Sequence, residues 1–228
     1  MPVLRSEKLP NEVNYVLWHI TESVEMLEQA MDWTAQGLME YKKISHPQKQ
    51  AEWLAGRLAA MALCEDLGLE YGGLQKDEFG KPHLVDAPGH ISLTNCFPFA
   101  AAGFHAKGPV GIDLEIPREK LHRLATKFLD DQEQLLSEDN RLALAIRWSA
   151  KEALYKLHGR KRLAFKEDIK TGVFALTEWG YFGATLQPDT ENTACRVYFK
   201  RVAPDLWLTV ALERVVWQVP VASEPAAE

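Results

Sequence analysis

The chain has 228 residues, 46% of them hydrophobic, and 26 Lys and Arg against 32 Asp and Glu give a formal net charge of −6. That apolar share fills a sizeable core, whereas the acidic balance excludes a general nucleic-acid binder, which needs a broad basic surface. No run approaches the roughly 18 apolar residues of a membrane span, the first residues lack a basic-then-apolar signal, and Cys64, Cys96 and Cys195 form no CxxC spacing, so a soluble, cytoplasmic protein with no membrane contact is expected.

Val13 to Ile20 is β-branched and aromatic, which predicts a buried strand. Thr21 is placed to cap the segment that follows, with Glu22 and Glu25 where a helix dipole favours acids. Ser45-His46-Pro47 opens a second helix, because proline suits a first turn. Leu54, Leu58, Met61 and Ala62 then recur at helical spacing, and Gly68 supplies a stop. Gly72-Gly73 marks a turn, 77–90 is turn-rich around Gly80-Lys81-Pro82, and His90 to Thr94 is strand-like.

Lys107-Gly108-Pro109 is the candidate join between two halves, 1–109 and 110–218, ahead of a frayed tail at 219–228. After the join come a strand at 110–116 and helical patterns around 119–129 and 132–158. Strands follow near 172–177, 195–202 and 206–216, where aromatics and valines are prominent. Strands and helices mix without regular βαβ alternation, so the expected class is α+β.

Charge is unevenly spread. Residues 147–170 hold Arg147, Lys151, Lys156, Arg160, Lys161, Arg162, Lys166 and Lys170 against Glu152, Glu167 and Asp168. Such clusters are either solvated helix faces or a local anion site. In Val110-Gly111-Ile112-Asp113-Leu114-Glu115-Ile116 the isoleucines and leucine alternate with two acids, so Asp113 and Glu115 share one face, their Cα atoms about 6.6 Å apart. That face is either a wet side of an amphipathic strand or a pair of ligands for a hard divalent cation, which would relieve the repulsion between them. In the second helix pattern Leu142, Ile146, Ala150, Ala153 and Leu157 form the apolar stripe, while Trp148, Glu152 and Lys156 lie four residues apart on another line. Glu152 and Lys156 are a surface pair or a metal ligand or base beside a phosphate-binding cation. Three acids with a nearby basic segment suit Mg²⁺-assisted phosphoryl-type chemistry.

Gly111-Ile112-Asp113-Leu114-Glu115, followed by Arg147-Trp148-Ser149-Ala150-Lys151-Glu152-Ala153-Leu154-Tyr155-Lys156, resembles the two signature motifs of 4′-phosphopantetheinyl transferases. The length is similar to that of the larger, monomeric class, which modifies carrier proteins of fatty-acid, polyketide and nonribosomal-peptide synthesis. The resemblance implies two similar α/β halves packed as a pseudo-dimer with coenzyme A bound between them. It implies transfer of the phosphopantetheine arm to a serine of an apo acyl or peptidyl carrier protein, with release of 3′,5′-adenosine bisphosphate. By the same carry-over Asp113, Glu115 and Glu152 bind Mg²⁺, or Mn²⁺ in its place, Glu152 is also the base, and Lys156 neutralises phosphate charge. Lys43, Lys76 and Lys81 correspond to coenzyme A phosphate contacts, and Thr94 and Asn95 to further cofactor contacts. Where the family usually reads Ser-His-Ser/Thr, this chain has Thr94-Asn95-Cys96, and an asparagine carries no charge to a phosphate. The carrier is expected on Lys120, Leu121, Arg123, Leu124 and Lys127, with Ala125 and Phe128 completing the apolar stripe.

Two other functions stay open on these residues. One is a relative that binds coenzyme A or a carrier without transferring. The other is a different Mg²⁺-dependent phosphotransferase or phosphatase using the same acids. The seven histidines show no HExxH spacing, and the sequence has no GxSxG elbow, phosphate loop or GxGxxG.

Overall fold

The computed structural model describes residues 3–160, 163–188 and 192–214. In chain order the elements are β1 (Val3–Lys8), β2 (Asn14–His19), α1 (Val24–Gln29), α2 (Ala35–Tyr41), α3 (Pro47–Asp66), β3 (Leu74–Lys76), β4 (Pro82–Leu84), β5 (His90–Cys96) and β6 (Phe99–His105). They continue with β7 (Val110–Glu115), α4 (Lys120–Phe128), α5 (Asp131–Ser137), α6 (Arg141–His158), β8 (Ile169–Thr171), β9 (Trp179–Leu186), β10 (Thr193–Ala203) and β11 (Leu206–Glu213). This is an α+β arrangement, and none of the described helices is long and apolar enough to cross a membrane. Lys161 and Arg162 of the basic segment, the end of the last expected strand and the tail at 219–228 lie outside the described residues.

Two antiparallel sheets carry the fold, ordered β1-β2-β6-β5 and β7-β11-β10-β9-β8. Each covers one face with a long helix. Leu54, Leu58, Ala59 and Leu63 of α3 pack on Val16, Trp18, Ala100 and Ala102 of the first sheet. Ile146, Ala150, Ala153 and Leu157 of α6 pack on Phe182, Val197, Phe199 and Ala211 of the second. Between the sheets lies a third apolar layer, in which Tyr15, Leu17 and Ala101 meet Val110, Ile112, Leu114, Leu208, Val210 and Leu212. At the seam the outer strands β5 and β7 are joined through side chains. The Ser92 hydroxyl accepts from Ile112 N–H at 3.1 Å and the Thr94 hydroxyl accepts from Leu114 N–H at 3.2 Å.

Several expectations change. The cap of α1 is Ser23, whose hydroxyl accepts from Met26 N–H, and not Thr21. The single pattern over 132–158 is two helices, because Glu138 and Asp139 take left-handed φ of 46° and 53°. Asn140 then restarts the chain by accepting from Leu142 and Ala143 N–H. No strand spans 172–177; the sheet edge there is β8, and β9 follows it. Strand β7 has no wet face, since all six residues are buried. Its acid-bearing side lies under α6, and Gly111 makes that approach possible: a Cβ there would stand 1.9 Å from the Ala153 carbonyl oxygen.

Candidate functional site

The close crossing at Gly111 brings one face of α6 over the acids of β7. Lys156 Nζ donates to Asp113 Oδ1 at 2.8 Å and to the Ile112 carbonyl at 3.0 Å. Thr94 Oγ1 donates to the same Asp113 oxygen at 2.9 Å, so Asp113 is fixed by α6 and by the neighbouring sheet. Glu115 turns the other way, accepting from Ile116 N–H at 2.8 Å and pairing with Arg118 Nη2 at 2.9 Å. Arg118 also reaches Cys96 Sγ at 3.1 Å.

Glu152 differs from both. It is half-buried, and its carboxylate makes no hydrogen bond or ion pair with any described residue. Burial raises its pKa above the ordinary glutamate value, the neighbouring Asp113 charge pushes the same way, and Lys156 opposes. Burial likewise raises Glu115, against the pull of Ile116 N–H and Arg118. A half-buried carboxylate beside two others, without a partner, is poised to take a proton or a cation.

The three acids do not converge into a closed cluster. Among the described residues no three His, Cys, Asp or Glu side chains stand together as a ready metal centre. The reason is that Asp113 is held on Lys156 and Glu115 on Arg118. The donor set still fits a hard ion, being all carboxylate oxygen with Glu152 unengaged. Mg²⁺ commonly takes only one or two carboxylates and completes its shell with water and phosphate oxygens.

Beside these residues opens a pocket of about 280 Å³ between the β3–β4 hairpin, β5 and the end of α6. Arg57, Lys76, Lys81, Lys156 and Arg160 line it together with Leu74, Phe79, Ile91, Leu93 and Tyr155. Five cations around an apolar floor suit a ligand with phosphates and a flat or aliphatic portion. Lys81 is set by the hairpin turn, where Asp77 accepts from Phe79 and Lys81 N–H, both at 2.9 Å. Its ammonium group donates to the Leu157 carbonyl at 2.8 Å, and burial lowers its pKa. Gly159, at φ 70°, caps α6 and clears space for that lysine, because a Cβ there would lie 2.6 Å from Lys81 Cδ.

Not every expected residue joins the site. Lys76 lines the pocket and pairs with Glu40 at 3.1 Å. Lys43 lies exposed beyond α2 and does not line the pocket. Thr94 is buried and its hydroxyl is engaged with Asp113 and Leu114, so it supports the acid. Asn95 is exposed on the other side of β5. Arg147 and Lys151, expected in a phosphate-binding segment, are 1% and 0% exposed and are engaged entirely inside the protein. On α4 the apolar stripe faces inward: Leu121 and Phe128 are buried against Leu144 and Ala145, with Leu124 packed beside them, so Leu121 presents no surface to a partner. Lys120, Arg123 and Lys127 remain exposed.

Among the pocket's cations, Arg57 was not singled out in the sequence. Arg57 lies in a helix of the other half, stacked 3.3 Å over the Trp53 ring and paired with Glu40 at 2.9 Å. Its only sequence signal is a cation within an apolar run, four residues after a tryptophan. Arg160 was visible only as one of many basic residues.

A comparison with curated proteins gave no match. Residues 109–211, which hold Asp113, Glu115, Glu152 and Lys156, match the family model of the 4′-phosphopantetheinyl transferase superfamily.

Proposed function

We propose that the protein transfers the 4′-phosphopantetheine arm of coenzyme A to a serine hydroxyl of an apo carrier protein and releases 3′,5′-adenosine bisphosphate, as a holo-carrier-protein synthase. The observation that carries this reading is the position of Glu152: a partnerless, half-buried carboxylate beside Asp113 and Lys156, at the edge of a pocket with five cations. Coenzyme A is the phosphate-bearing ligand, its pyrophosphate near Lys156 and its remaining phosphate toward Lys76, Lys81, Arg57 or Arg160. Glu152 takes the proton from the incoming serine, for which its raised pKa suits it at neutral pH. Lys156, already bonded to Asp113, neutralises charge as the phosphate bond breaks. Asp113, Glu115 and Glu152 would hold Mg²⁺, which would supply charge neutralisation to the phosphates.

The chain divides at 107–109 into two halves resembling a pseudo-dimer, with the active site between them. Supporting this, each half runs strand, helices, then a hairpin whose last strand pairs back on the first: β2 with β6, and β7 with β11. The exposed Lys120, Arg123 and Lys127 form a basic docking surface for an acidic carrier, which speeds encounter in a salt-dependent way.

The test is the intact mass of several apo carrier proteins after incubation with this protein, coenzyme A and Mg²⁺, alongside Glu152→Gln. A gain of one phosphopantetheine unit, lost in the variant, supports the reading. Coenzyme A binding without any mass gain would replace it with a binding role.

A further inference from the structure

On the side of α6 away from Glu152 lies a second charged cluster, sealed from solvent. Lys151 is 0% exposed and its ammonium group spends all three protons: on Glu133 Oε2 at 2.7 Å, the Phe165 carbonyl at 2.7 Å and the Ile169 carbonyl at 2.6 Å. Arg147, one turn earlier and 1% exposed, donates to Ser137 Oγ at 3.0 Å and Thr171 Oγ1 at 2.7 Å. Glu133 of α5, 2% exposed, joins these elements: its Oε1 accepts from Thr171 N–H at 2.8 Å and from the Thr171 hydroxyl.

Two buried cations and one buried anion are not an efficient source of stability, since apolar groups of similar volume often do as well or better. What such a network supplies is geometry. Each bond has a direction, and three from one ammonium group fix both the rotation of α6 about its axis and its position along it. Lys151 adjoins Glu152 in sequence, so the same bonds fix where Glu152 points. A slip of α6 toward β7 is blocked by the Gly111 crossing; rotation is left to the network.

We infer that Glu133, acting through Lys151, is a positioning residue for Glu152. The inference rests on the proposed transfer reaction, in which Glu152 is the base. Glu133 touches no ligand; it holds the helix that carries the reacting group. Misplacement of a catalytic group by an ångström costs up to about 100-fold in rate.

The experiment compares Glu133→Gln, Lys151→Met and the double variant, well below their melting temperatures. Each is assayed for kcat, for KM toward coenzyme A, and for thermal stability. Lys151→Met removes the ion pair of Glu133 and is expected to lower the melting temperature sharply. The double variant, which removes both members of that ion pair and leaves Arg147 on its neutral acceptors, is expected to regain more than half of that loss. Its kcat is expected to stay about 10-fold or more below wild type, with KM for coenzyme A within about 2-fold. If kcat returned together with stability in the double variant, the network would be purely structural and the inference overturned. Should Lys151→Met fail to fold, Glu133→Gln alone decides: an unchanged kcat in a folded protein also overturns it. Absence of transfer by the wild-type protein would instead defeat the reading of the site itself, so the two failures are distinguishable.

Discussion

Helix α6 presents charge on two sides, and their surroundings are opposite. Around Lys151 all three ammonium protons are donated and both Glu133 oxygens accept, each bond within 3.1 Å. Around Glu152 like charges adjoin, and the glutamate itself is left without a partner. Lys151 and Glu152 are adjacent in sequence. What separates them is satisfaction: a matched buried network holds a structure, while an unmatched half-buried acid keeps free energy available for a ligand or a proton.

That contrast can be broken from either side. Lys151→Met should cost about 3–5 kcal/mol of stability, the usual penalty for stranding a buried charge; chemical denaturation reads it directly. Glu152→Gln should do the reverse, leaving stability unchanged or slightly raised while lowering transfer by about 100-fold or more. Loss of stability in that variant would place Glu152 in the matched class. Gly111→Ala tests the contact that sets both clusters over their neighbours. With backbone atoms of Ala153 and Leu157 in the way, a loss of about 3 kcal/mol is expected from overpacking.

The smallest effect concerns a tie outside α6. Glu7 accepts from Tyr15 at 2.9 Å and pairs with Lys200 at 2.7 Å, joining β1 to β10. Burial raises its pKa, but Lys200 and Tyr15 outweigh it, so the carboxyl sits below its ordinary value. A depressed carboxyl pKa favours the folded state above the usual glutamate range, and that gain disappears as pH falls through the folded value. Glu7→Gln should therefore lower the melting temperature at pH 7 but not near pH 3. The difference should be under about 1 kcal/mol, because the pair is partly solvated.

Much of the site was legible in the sequence because its motifs are local. Asp113 and Glu115 share a strand face by period two, and Glu152 and Lys156 share a helix face by period four, so the constellation needed only one helix on one strand. Elements with weak patterns were missed. β6 reads Phe-Ala-Ala-Ala-Gly-Phe-His and β9 contains two glycines, so neither signals a strand by composition. β1 alternates with polar residues and pairs with β2 along its length. The fate of individual cations was also hidden. Lys151 and Lys156 are indistinguishable as residue types five positions apart, and only tertiary packing sends one into the interior and the other to Asp113. The buried Leu121 follows the same rule, since a stripe of apolar residues on an amphipathic helix turns to whatever core is nearest.

The Thr94 hydroxyl, which donates to Asp113 and accepts from Leu114, has a consequence for any attempt to divide the molecule. The segment bearing the signature residues borrows this support, and most of its pocket wall, from residues that precede it. A fragment cut at 109 would keep every acid yet leave one oxygen of Asp113 without its hydroxyl and Val110, Ile112 and Leu114 facing water. Mixed back with residues 1–108, it should recover them. Reassembly of the two pieces would measure how tightly residues 1–108 are held.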